Sequence, residues 1–170
     1  LTEIQPYASD TQTPLFYTSE MVREKYPDAI SVFISPCVAK RKEVSENKNI
    51  DYILNYEELD AIFEGLEINV ALCEETPFEE ESSKQGRNYG RIGGVSSAIE
   101  ALSDKPKSLI INGLTKESIK QLRKYAKEGN CPLGNLIEVM SCSCGCMGGN
   151  ATIKKVKDAA KTLNEYTEHS

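Results

Sequence analysis

The run Leu136-Ile137-Glu138-Val139-Met140-Ser141-Cys142-Ser143-Cys144-Gly145-Cys146-Met147-Gly148-Gly149 passes from an apolar stretch into a loop holding three cysteines and three glycines. Five mostly apolar residues bounded by a turn-rich segment read as a buried strand, Leu136 to Met140. The same grammar recurs upstream. Ala29 to Ile34 is a second apolar run, and Ser35-Pro36-Cys37 follows it directly. Cys37 and Cys142 therefore both stand just past the C-terminal end of a predicted strand. In a parallel sheet those ends lie on one edge, where open α/β folds place ligands, so residues over a hundred positions apart can meet at one cofactor.

Working outward, short apolar runs alternate with amphipathic stretches, which predicts an α/β fold with crossover helices. Thr13-Pro14 opens a helix reaching about Lys25, and Tyr26-Pro27 stops it. Ile50 to Leu54 is a further strand, and Asn55 with Glu58 forms a capping box for a helix burying Leu59, Ile62, Phe63 and Leu66. Ile68 to Leu72 reads as the next strand, followed by an acidic, mobile segment from Glu74 to Gln85. Gly93-Gly94 opens a helix with Val95, Ala98, Ile99 and Leu102 on one face, and Leu109 to Ile111 is a strand. Thr115 caps a helix ending near Gly129, and Ile153, Val156, Ala160 and Leu163 mark the last helix. The expectation is one α/β domain over residues 1–170, a mainly parallel sheet of four to five strands with helices on both faces.

Composition bounds the function. With 170 residues and 39% hydrophobic side chains, a single core buries about 70% of the surface the unfolded chain exposes, so the six cysteines are not needed as staples. A net charge of −6 without a basic arm argues against nucleic acid as a partner. No apolar run approaches the roughly 20 residues of a spanning helix, and no signal peptide is visible, so the chain is placed in the cytoplasm. It opens at Leu1 with no Met and is read as a piece of a longer protein. Charge is uneven: Asp51 to Glu81 carries eleven acidic residues and no Lys or Arg, whereas Lys105 to Lys161 is mainly basic. Most of this is solvated helix surface, though a basic face can steer an acidic electron carrier.

Three cysteines within five residues do not suit a disulfide framework and point to a soft metal or redox chemistry. Zinc sites come as two Cys or His pairs, and here Cys37 stands alone while the single histidine, His169, is in the tail. An iron–sulfur cluster fits better. Cys73, within Val70-Ala71-Leu72-Cys73, reads as a buried core thiol, and Cys131 receives no role. Lys40-Arg41-Lys42 reads by default as an exposed basic turn, although Lys40 can place an ammonium over the Cys37 site.

The segment Ser35-Pro36-Cys37-Val38-Ala39-Lys40-Arg41-Lys42-Glu43 resembles the second signature of the iron-only ([FeFe]) hydrogenases, M-P-C-x-x-K-x-x-E. Glu138 to Gly149 is similar to their third, E-x-M-x-C-x-x-G-C-x-x-G-G, and two less specific stretches, Asp51 to Leu59 and Tyr89 to Val95, lie between. The resemblance implies a lobe of the hydrogenase catalytic domain, in which a [4Fe-4S] cluster joins a diiron centre bearing CO and CN ligands. It implies Cys37, Cys142 and Cys146 as metal ligands, Lys40 as donor to a cyanide, and Glu43 as the partner holding Lys40. Ser9 falls at a proton-relay position, and Pro14, Pro36, Tyr89 and Met140 at the cofactor pocket. It further implies reversible interconversion of dihydrogen and protons with a ferredoxin-like carrier, and the N-terminal lobe of the same polypeptide as partner.

This chain departs from the pattern. The first signature, T-S-C-C-P, with a cluster ligand and the proton-shuttling cysteine, is absent, so the 170 residues alone are expected to be inactive and to bind no cluster. Cys144 stands where the family commonly has Gly, Ser35 replaces Met, and Asn150-Ala151-Thr152 replaces G-G-Q-P. A hydrogen-sensing or electron-transfer module of the same family is the alternative. A zinc-stabilised module is a third.

Overall fold

A computed structural model describes residues 2–78 and 81–168, so His169 and residues 79 and 80 of the acidic segment lie outside it. The described residues group into two compact units, one of residues 9–77 with 150–153, the other of residues 2–8, 78, 81–149 and 154–168.

In the first unit, helix α1 (Pro14–Lys25) starts where the Thr13 side chain accepts the Phe16 amide and Pro14 takes the first helical position. Strand β1 (Val32–Ile34) and strand β2 (Tyr52–Leu54) pair in parallel, Val32 opposite Tyr52, Phe33 opposite Ile53 and Ile34 opposite Leu54. Helix α2 (Lys40–Glu46) lies between them in sequence, and helix α3 (Tyr56–Gly65) follows with its Asn55–Glu58 capping box formed. Phe33 and Ile53 point from one sheet face into a core of Leu15, Val44 and Ile50. The alternating residues Val32 and Ile34 stay 45% and 42% exposed, which leaves the other face of a parallel pair bare.

The strand is shorter than the apolar run. Arg23 donates Nη1 to the carbonyls of Pro27 (3.1 Å) and Ala29 (2.8 Å), and Nη2 to Asp51 Oδ2 (2.9 Å), which also accepts the Ser31 amide (2.7 Å). The Pro27 and Ala29 carbonyls are thereby taken by a guanidinium, and regular pairing begins at Val32.

In the second unit, strand β3 (Ser108–Asn112) and strand β4 (Leu136–Met140) pair in parallel over five residues, from Ser108 opposite Leu136 to Asn112 opposite Met140. They are flanked in sequence by α4 (Lys84–Arg87), α5 (Gly94–Leu102), α6 (Lys116–Glu128) and α7 (Val156–Glu168). Thr115 and Ser118 form the capping box of α6, and Gly129 ends it at φ +65°, in the left-handed region that favours glycine. Ala98, Ile111 and Leu122 are buried. Arg87 lies 4.4 Å over the Tyr166 ring and pairs with Glu81 at 3.1 Å, tying α4 to α7.

The α/β class holds, but the sheet does not. Among the described residues there are two separate two-stranded parallel sheets, not one of four to five strands. The expected strand Ile68 to Leu72 is a 3-10 turn (Val70–Leu72), because the Asn69 side chain accepts the Ala71 amide and closes the backbone into a turn. Cys73 is exposed rather than buried, its Sγ 3.5 Å from the Asn69 carbonyl oxygen. Helix α3 buries no residue, and Leu66 is exposed. Leu102, at the last turn of α5, is 90% exposed, and Ile153 precedes α7 and is exposed.

Candidate metal centre

In the first unit, the turn after β1 carries Cys37. Ser35 donates its amide to the Leu54 carbonyl (3.0 Å), extending the ladder one residue beyond the strand, and its buried hydroxyl accepts the Cys37 amide (3.2 Å). Serine in place of the signature methionine thus ties down the backbone of the cysteine itself. The Pro36 carbonyl accepts the Ala151 amide (3.3 Å), and the Cys37 carbonyl accepts the Lys40 amide (3.2 Å) as α2 begins. Cys37 is half-buried and its thiol is free.

The basic run is the first turn of α2 rather than a loop, with Arg41 and Lys42 exposed as expected and Lys40 half-buried. Lys40 forms an ion pair with Glu43 one helical turn on, and Arg41 reaches Glu58 at 2.6 Å. The Arg41 hydrogen bond, followed by the Asn55 amide, holds the Glu58 carboxyl below its ordinary range. Glu43 Oε1 also accepts the Thr13 hydroxyl. Pro14 follows Thr13 at the head of α1, and Ser9 lies on the exposed loop before it, its hydroxyl accepting the Thr11 amide at 3.1 Å.

In the second unit, pairing runs past β4: the amides of Gly113 and Leu114 donate to the carbonyls of Met140 (2.9 Å) and Ser141 (3.2 Å). Cys142 follows, half-buried, and its carbonyl accepts the Gly145 amide (3.2 Å). Asn112, at the end of β3, accepts the Cys144 amide on Oδ1 (2.7 Å). Cys144 takes φ +68°, and Gly145 the same value, before a 3-10 turn (Gly145–Gly148) presents the exposed Cys146. The Cys146 amide donates to the Gly90 carbonyl (2.8 Å). A Cβ on Gly145 would collide with that same carbonyl oxygen, and one on Gly148 with the Ser143 carbonyl. These glycines let the loop fold onto the Tyr89-Gly90 turn, so Tyr89 and Cys146 come from adjoining segments. Met140 is half-buried at the end of β4.

Glu138 completes this unit's frame. Its buried carboxylate accepts the Gly93 amide on Oε1 and the Ser96 amide on Oε2, both at 2.8 Å, at the N-terminus of α5. The signature's glutamate therefore anchors the strand that delivers Cys142 to the helix that follows Tyr89-Gly90. Sequence reading placed Glu138 in register without a role and missed Thr13, Gly90 and Asn112 as neighbours of the site residues. Only the Gly145-to-Gly149 spacing hinted at the Gly90 approach; the Thr13 and Asn112 bonds span 30 and 32 residues and leave no local signal.

Cys37 follows a strand of one sheet and Cys142 a strand of the other, so the single sheet edge expected to carry both is not formed among the described residues. The donor chemistry, thiols in turns whose backbone is pinned by hydrogen bonds, still suits an iron–sulfur cofactor. Among the described residues no three His, Cys, Asp or Glu side chains converge into a metal-holding group.

Two parallel strand pairs, each with a strand that ends in a hydrogen-bonded cysteine turn, define the class as an α/β protein with cysteines at strand ends. A family model described as the iron-only hydrogenase large subunit, C-terminal domain, matches residues 1–150, and the chain belongs to that family. Its fold is similar to the [FeFe]-hydrogenase HydA(deltaEFG), described for stepwise H-cluster assembly, at 18% identity and TM-score 0.66 over 98% of this chain and 61% of that one. It is also similar to an [FeFe]-hydrogenase described for oxygen inactivation through its H-cluster 2Fe subcluster, at 15% identity, TM-score 0.68, 98% of this chain and 60% of that one. A variant of HydA1 from Chlamydomonas reinhardtii gives 14% identity, TM-score 0.62, 98% and 61%. The chain spans about three fifths of each. No curated protein sequence matches it. Among the described residues no helix is long and apolar enough to cross a membrane.

Proposed function

We propose that this chain is part of the catalytic unit of a cytoplasmic [FeFe]-hydrogenase that interconverts dihydrogen with protons and electrons, exchanged with a ferredoxin-like carrier. The observation that carries this is the family match across both cysteine turns together with the Lys40–Glu43 pair three residues past Cys37. When bound, the iron cofactor supplies the redox and hydrogen-splitting chemistry. Cys37, Cys142 and Cys146 would hold it as thiolates, with the backbone of Cys37 fixed by its amide bond to the Ser35 hydroxyl. Lys40 offers a fixed cationic donor, with Glu43 setting its direction and partly neutralising it. By the family resemblance, Pro14, Pro36, Tyr89 and Met140 would contact the cofactor, Tyr89 offering a phenol and the others apolar surface. Ser9 is the hydroxyl of the proton route. A [4Fe-4S] cubane takes four thiolates; the family resemblance assigns the fourth to the N-terminal lobe of the same polypeptide, with Cys144 as the alternative ligand, and on the first reading the 170 residues alone do not turn over.

Anaerobic expression of the parent polypeptide with hydrogen-uptake and hydrogen-evolution assays tests this. Turnover abolished by Cys142→Ser or Cys146→Ser supports it. A cluster-loaded parent without turnover supports instead the sensory or electron-transfer alternative, which the Ser35 and Cys144 departures favour.

A further inference from the structure

Thr13 lies outside the residue set assigned above. One hydroxyl does two things: its oxygen accepts the Phe16 amide at 3.4 Å to start α1, and its proton goes to Oε1 of Glu43, thirty residues on. Oε2 of the same carboxylate accepts Lys40 Nζ. A hydroxyl has one proton to give and lone pairs to accept with, so both bonds coexist without conflict. Glu43 is thereby held at both oxygens, which fixes the carboxylate plane as well as its position.

This matters for Lys40 because an ammonium on a four-carbon stem has little direction of its own. Pairing with Glu43 alone leaves the glutamate free to change rotamer and carry the lysine with it. With Thr13 on the other oxygen, that freedom is removed. The side chains of Lys40 and Glu43 are only 27% and 30% exposed, so water competes weakly for the pair. The hydroxyl also sits one residue before Pro14, and so couples the start of α1 to the Cys37–Lys40 turn.

We infer that Thr13 is a positioning residue, which acts through Glu43 to fix the Lys40 ammonium; its value for catalysis rests on the proposed function. The test uses the metal-free chain, with 15N-labelled lysine and the exchange of the Lys40 ammonium protons with water as readout. Thr13→Val and Glu43→Gln should each speed exchange about tenfold, the size expected for losing one charge-assisted hydrogen bond, while Thr13→Ser stays near wild type. Thr13→Gly removes the hydroxyl but keeps a favoured helix-capping residue, and should behave like Thr13→Val while leaving helix content unchanged. Thr13→Val added to Glu43→Gln should change Lys40 exchange no further. Wild-type exchange in the folded Thr13→Gly variant overturns the inference, as does full additivity in the double variant. Failure of the parent polypeptide to bind iron and sulfide would contradict the proposed function instead and leave the Lys40 result standing.

Discussion

Replacing Glu138 should damage this protein more than any surface change, by an amount that follows from its two partners. Its carboxylate accepts the Gly93 and Ser96 amides at 2.8 Å each while buried at the N-terminus of α5. A hydrogen bond to a charged group contributes about 1.5–3 kcal/mol, and an anion at a partly buried helix N-terminus up to about 2 kcal/mol more. Desolvation of the carboxylate offsets part of that. Glu138→Ala, which strands two buried donors, should therefore cost about 3–5 kcal/mol, a large share of the roughly 5–15 kcal/mol available to a domain. Glu138→Gln keeps one acceptor and turns an NH2 towards the other donor, so about 2 kcal/mol is expected. Guanidinium unfolding followed by circular dichroism measures the loss, and amide exchange at Gly93 and Ser96 locates it. A loss below about 1 kcal/mol for Glu138→Ala, or unchanged protection at both amides, would refute the anchoring role.

Acid should destabilise the fold. The Ser31 amide, then Arg23, lower the Asp51 carboxyl from its ordinary 3.8, and Arg41, then Asn55, lower Glu58 from 4.5. Depressed folded values stabilise above the unfolded ones and lose that contribution as pH falls through the folded ones, so unfolding midpoints should hold above about pH 5 and drop below about pH 4.5. The Asp51→Asn, Glu58→Gln double variant should drop less steeply. Gly145→Ala meets both the left-handed backbone and the Gly90 carbonyl, and should cost about 3 kcal/mol in a denaturation titration. Cys144, at φ +68°, tolerates glycine but not a branched side chain: Cys144→Gly should leave the midpoint unchanged or raised, and Cys144→Val should lower stability by about 1–2 kcal/mol.

Local chemistry was legible from the sequence; partnership was not. The Thr13-Pro14 start, the Asn55–Glu58 box, the Thr115 cap and the Gly129 stop all stand, because each is decided within four residues. Helix α2 was hidden because Ala39 offers no side-chain cap and the basic run resembles a solvated turn. Ile68 to Leu72 misled because an apolar run specifies burial tendency, while Asn69 decided the backbone. The sheet was overcounted for a related reason: apolar runs identify strands but do not say which strands pair, and among the described residues they pair only as β1 with β2 and β3 with β4. The cysteine turns were placed correctly at strand ends, since apolar run and turn chemistry abut there. Bonds that pin those turns, from Asn112, Gly90 and Thr13, join distant positions and had to come from the structure.

The proposed function requires Cys37, Cys142 and Cys146 each to ligate an iron–sulfur cofactor. Anaerobic reconstitution of the parent polypeptide with iron and sulfide, followed by metal and sulfide analysis and visible spectroscopy, tests it most directly. Bound iron and sulfide with charge-transfer absorption, lost in each of Cys37→Ser, Cys142→Ser and Cys146→Ser but retained in Cys73→Ser and Cys131→Ser, is the predicted result. Retention of the full cluster in any of the first three, or binding of zinc in its place, would contradict it.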